Sequence, residues 1–164
     1  MSKLSPYRSL PPERRVALVM HVIKSSREGR DQFIQRLVER GGGFRAVTLR
    51  TWPVDKLAKE IVRMKAETSN DELDLLQMLY VDLEPEIQTT FLEAAGVPHK
   101  NGKIAETLEP PYANSDSVLR GVAAVQAKHG VDGVHYLRTI ARYSHDGWPG
   151  IDKVVSELDE PGPV

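Results

Sequence analysis

The strongest constraint on this chain is the spacing of its apolar residues. They recur every three or four positions, segment after segment, with a helix-starting or helix-stopping residue between segments. That spacing lays an apolar stripe along an α-helix, and the stripe must be buried. Eight segments follow the rule. The first, 12–25, opens on Pro11-Pro12, where a missing N–H does no harm. Its Val16, Leu18, Val19, Met20, Val22 and Ile23 cover most of the circumference, which predicts a central helix. The second, 28–40, carries Phe33, Ile34, Leu37 and Val38 and stops at Gly41-Gly42-Gly43, since glycine takes the left-handed C-terminal conformation cheaply. The third, 53–66, places Val54, Leu57, Ala58, Ile61 and Val62 on one face.

A capping box, Ser69 followed by Glu72, opens the fourth segment, 70–83. The fifth starts at Pro85 and is closed by Gly96 and Pro98. Ser115 caps the sixth, 116–129, and Gly130 stops it; Asp132 caps the seventh, 133–143; the eighth, 150–158, presents Ile151, Val154, Val155 and Leu158. The tail, 159–164, is expected to fray. Residues 44–52 read as irregular and 97–115 as a long connection turning at Asn101-Gly102. Short strands at 45–49 or 103–108 would form at most a marginal pair.

The expected class is therefore all-α, a compact bundle-like array of about eight short helices. No repeat of solenoid length emerges. At 164 residues the chain reads as a single domain, 1–164, divisible into a basic helical subdomain, 1–66, and an acidic one, 67–164. Apolar residues at 40% and charged residues at 27% are an ordinary globular mixture. The absence of cysteine rules out disulfide frameworks, thiolate nucleophiles, iron–sulfur clusters and sulfur-ligated zinc, and suits a cytoplasmic location. The longest unbroken apolar run is 16–20, far short of a membrane span. Lys3, Arg8, Arg14 and Arg15 ahead of that run imitate a secretory signal, but His21 interrupts it and no small-residue cleavage site follows.

The net charge of −1 conceals an asymmetry. Residues 1–66 hold 15 Lys and Arg against 6 Asp and Glu, or +9; residues 67–164 hold 7 against 17, or −10. No basic residue lies between Lys65 and Lys100, a stretch holding Glu67, Asp71, Glu72, Asp74, Asp82, Glu84, Glu86 and Glu93. Such a division points to a charged partner.

Catalytic patterns are weak by comparison. Gly41-Gly42-Gly43-Phe44-Arg45-Ala46 fits the dinucleotide pattern G-x-G-x-x-A, but a helix precedes it and no helix follows at once, so no cofactor is expected. His129 and His135 are six apart and lack the spacing of a helical metal pair; His21 reads as a hydrogen-bonded core residue; no metal site is expected. His145-Asp146 resembles the centre of HD-type metal phosphohydrolases. That resemblance would make the chain a metal-dependent hydrolase, but the family also needs a distant downstream aspartate, and only 18 residues follow Asp146. A histidine near a helix C-terminus is the simpler reading.

Basic residues across 36–65 carry more. Arg36, Arg40, Arg45 and Arg50 are interleaved with Phe44 and Trp52, and Lys56, Lys59 and Arg63 recur opposite the apolar face of the third segment. Such a ridge could neutralise phosphates with an aromatic available for stacking, so nucleic acid is one expected partner class, through Arg45, Arg50, Lys56, Lys59 and Arg63. The favoured reading is a non-catalytic interaction or regulatory module that binds a protein partner through charged helical surfaces. Self-association at low salt follows from the same asymmetry, and no membrane partner is expected.

Overall fold

A computed structural model describes residues 4–159. Helix accounts for 68% of them, in eight α-helices, with one two-stranded sheet. The all-α expectation holds, and no helix is long and apolar enough to cross a membrane among the described residues. The expected fraying at 160–164 lies outside them.

The helices are α1 (Pro12–Ser25), α2 (Arg27–Glu39), α3 (Ala46–Leu49), α4 (Val54–Arg63), α5 (Ser69–Met78), α6 (Pro85–Ala94), α7 (Ser115–Tyr143) and α8 (Ile151–Asp159). The chain divides into two compact units, and the division falls between Leu75 and Leu76, inside α5. The N-unit is Tyr7–Leu75; the C-unit comprises residues 76–159 together with 4–6. The N-unit carries 14 Lys and Arg against 10 Asp and Glu, a net +4.

In the N-unit, α1 packs on α2 and α4, and Leu18, Val19 and Ile23 of α1 and Leu57, Ala58, Ile61 and Val62 of the α4 stripe are buried. The α1–α2 corner is tight. Ser26 caps α2 by accepting from Gly29 N–H at 3.0 Å, and a Cβ at Gly29 would lie 2.7 Å from Val22 Cγ1. α2 ends at the triple glycine as expected, with Gly41 and Gly43 at φ +77° and +78°. Residues 46–49, expected to be irregular or a strand, form the single helical turn α3, which buries Leu49. α4 ends in a Schellman motif: Lys65 N–H donates to Val62 O and Ala66 N–H to Ile61 O. Here Lys65, not glycine, takes the left-handed position at φ 52°. The capping box of α5 sits one residue earlier than expected. Thr68 N–H donates to Asp71 Oδ2 at 2.8 Å and Asp71 N–H to Thr68 Oγ1 at 3.2 Å, so Thr68 and Asp71 form it, not Ser69 and Glu72.

In the C-unit, α5 widens into a π-turn over Leu79–Leu83 before Pro85 starts α6. His99–Lys100 and Lys103–Ile104 pair as an antiparallel hairpin across Asn101-Gly102, both at positive φ. Asn114, not Ser115, caps α7, accepting from Ser117 N–H at 2.8 Å. The two expected helices on either side of Gly130 are the two halves of α7, broken by Gly130 at φ 55°, ψ −127°. In a straight helix residues eight apart are about 12 Å apart. Here a Cβ on Gly133 would lie 2.7 Å from Val125 O, so the chain doubles back at Gly130. α6 and α8 pack on α7. Phe91 centres an aromatic cluster, its ring meeting Tyr136 and Trp148 edge-on at 5.8 and 4.9 Å.

Candidate functional site

Between the end of α2 and the end of α4 the N-unit gathers aromatic and basic side chains. Phe44 and Trp52 flank α3 and meet edge to face, with centroids 5.4 Å apart and planes at 87°. Both are half-buried. The Phe44 ring lies so close to the backbone at Gly42 that a Cβ there would sit 2.8 Å from Cε2 and 3.7 Å from Met64 Cε. Phe44, Met64 and Trp52 therefore share one corner, while Val47 on the intervening α3 turn stands 73% exposed.

The five residues of the expected phosphate-binding ridge are all exposed here, but they are not equivalent. Arg50 Nε is 4.0 Å from Asp31 Oδ1, and its carbonyl accepts from Arg30. Lys59 Nζ lies 3.9 Å from Asp55 Oδ2. Arg63 donates to Glu60 through Nε at 3.1 Å, and hydrogen bonding to that carboxylate, with its charge, holds the guanidinium above its ordinary pKa. Lys56 instead sits over the Trp52 ring, 4.1 Å from its centroid. Arg45 has no hydrogen-bonding or ionic side-chain partner among the described residues. Arg36, the first basic residue of the stretch 36–65, is paired with Asp71.

The acidic stretch divides likewise. Glu67 is buried, and its carboxylate accepts from Tyr7 OH at 2.5 Å and from Arg8 Nη1 at 3.4 Å. Arg8 also donates to Glu67 O at 3.0 Å, and its Nε is 3.6 Å from Glu72 Oε1. Burial and then the Glu67 charge push the Tyr7 hydroxyl well above its ordinary pKa. Three acids of the stretch, Glu67, Glu72 and Asp71, are thus paired within the N-unit with two arginines, Arg8 and Arg36. Sequence reasoning missed this clasp. A pairing across 60 residues leaves no periodic trace.

Two of the histidines, His99 and His129, take structural places. His99 Nδ1 accepts from Gly102 N–H at 3.0 Å, which puts its proton on Nε2, 3.5 Å from Glu93 Oε1; the residue pins the hairpin. His129 Nε2 lies 3.0 Å from Thr90 Oγ1. His21 is half-buried, not core, and its ring makes no hydrogen bond to another described residue. His145 and Asp146 are both exposed on a single 3-10 turn, His145–Gly147. Among the described residues no three His, Asp or Glu converge as metal ligands. No known protein family, curated protein or solved structure matches the chain.

Proposed function

We propose that the chain is a non-catalytic interaction module that holds a protein partner through the basic surface of the N-unit around α3 and α4. The observation that carries this reading is the distribution of charge around the aromatic corner. Arg40, Arg45, Lys56 and Lys65 are exposed and have no carboxylate partner among the described residues. They border Phe44, Met64, Trp52 and the exposed Val47 in sequence. Aromatic residues, methionine and arginine are the types enriched at the centres of protein interfaces. A nucleic acid fits less well. Arg50, Lys59 and Arg63 already face carboxylates, which a phosphate would have to displace, and Lys56 covers one face of the ring on which a base would stack.

A photo-crosslinking amino acid at position 47, in cells that express the chain, tests the reading. A discrete adduct is expected that protease removes and nuclease does not, and that Arg45→Glu with Lys56→Glu abolishes. A nuclease-sensitive adduct would replace this reading with the phosphate-binding one. No adduct above that from exposed Ser156 would overturn both.

A further inference from the structure

We infer that the segment contacting the N-unit is acidic and carries an aromatic or branched aliphatic anchor that seats on the Phe44–Trp52–Met64 corner. The inference rests on the interaction reading above and names the chemistry of the partner. Three observations combine. The corner is apolar and only half-covered: Phe44, Trp52 and Met64 are each half-buried, and Val47 is 73% exposed. It is packed within itself, because the Phe44 ring lies against the Gly42 backbone and meets the Trp52 ring edge to face. An apolar floor already assembled lets an anchor bury area at a lower ordering cost.

The third observation is charge. The chain neighbours of the corner are cations that have no acid partner among the described residues: Arg40 two residues before Gly42, Arg45 beside Phe44, and Lys65 beside Met64. Among the described residues Lys56 is bound only to the Trp52 ring face. A neutral apolar partner closing over this corner would strip water from these cations and return nothing, which disfavours it. A basic partner would be repelled. Carboxylates flanking an apolar anchor satisfy both halves of the surface, and would also speed encounter with a unit of net charge +4.

The chain supplies its own reporter. It has two tryptophans, Trp52 in the corner and Trp148, buried in the C-unit at 3% exposure. The full chain, labelled with 15N, is titrated with a short tryptophan-free peptide in which Asp and Glu surround one Leu and one Phe. The Trp52 indole N–H resonance is expected to move and that of Trp148 to stay. Replacing the peptide's Leu and Phe by Gly, or its acids by amides, weakens binding by about tenfold or more, as does Val47→Asp in the protein. Val47 is exposed, so that variant is expected to fold, with an unchanged circular dichroism spectrum as the check. A stationary Trp52 resonance at millimolar peptide overturns the inference, and so does equal binding by the anchorless peptide. A partner captured at position 47 whose contacting segment is basic, or lacks an apolar anchor, also overturns it while leaving the interaction module standing. Absence of any capture removes the interaction reading itself.

Discussion

Tyr7 is fully shielded from water, and its hydroxyl is bonded to a carboxylate that is itself buried. Burial penalises the phenolate, and the charge of Glu67 adds to that penalty, so the folded pKa lies above the unfolded value of about 10. A raised pKa means the stabilisation is complete below about pH 10 and is lost as the pH climbs beyond it. Tyr136 acts in the same direction through its own burial and then Tyr80. Tyr7→Phe leaves Glu67 short of a donor and is expected to lower stability by about 1–3 kcal/mol at neutral pH. It should also make the loss of stability above pH 10 shallower without abolishing it, because Tyr136 remains. Urea unfolding at neutral and alkaline pH measures both effects. None of this was legible in the sequence, where Glu67 reads as one more acid in a run of eight. The nature of a charged residue says nothing about a partner 60 positions away.

Helices, by contrast, were legible wherever a stripe and a stop signal coincide. Pro11-Pro12 and the spacing of Leu18, Val19 and Ile23 gave α1 its observed bounds, and the triple glycine ended α2 where left-handed φ values are found. α3 escaped because four residues are too few to show a period, and the one apolar side chain it buries, Leu49, is also what a strand would bury. The capping box slipped by one because Thr68 and Asp71 can do what Ser69 and Glu72 can, and Glu72 is drawn to Arg8. Gly130 was readable as a stop, but the fold-back was not; it depends on Gly133. A methyl there would meet Val125 O at 2.7 Å, a backbone atom that cannot swing aside. Gly133→Ala is therefore expected to destabilise the C-unit by about 1–3 kcal/mol, read as a lower midpoint in chemical unfolding followed by Trp148.

Over the whole molecule, the charge layout seen in the sequence survives in reduced form. The chain-half excess of +9 falls to +4 for the N-unit, because that unit takes in Glu67, Asp71, Glu72 and Asp74 and leaves out Lys3; the remainder of the chain carries −5. The aromatic corner was half-legible: Phe44, Trp52 and the flanking cations could be picked out, but not which cations lack an acid, since that depends on Asp31, Asp55 and Glu60. Units of opposite net charge in one chain predict head-to-tail attraction between copies. Such attraction reaches about 30 Å at 0.01 M salt and about 8 Å at 0.15 M. Light scattering should show reversible growth in apparent mass at low ionic strength that fades towards physiological salt. A mass independent of salt would rule out complementary attraction between copies.

The clasp has a mechanical consequence. The chain enters the N-unit at Tyr7 and leaves it at Leu75, and Tyr7 and Arg8 grip Glu67 and Glu72 between those two points. Tension drawn along the backbone into this unit reaches the clasp before it reaches α1 or α4. The Arg36–Asp71 pair shares that load, so α2 is held to the neck as well. Once these contacts yield, about 60 residues are free to pay out, on the order of 200 Å of contour. The unit is a loop drawn shut at its neck by the contacts of Tyr7, Arg8 and Arg36 with Glu67, Glu72 and Asp71.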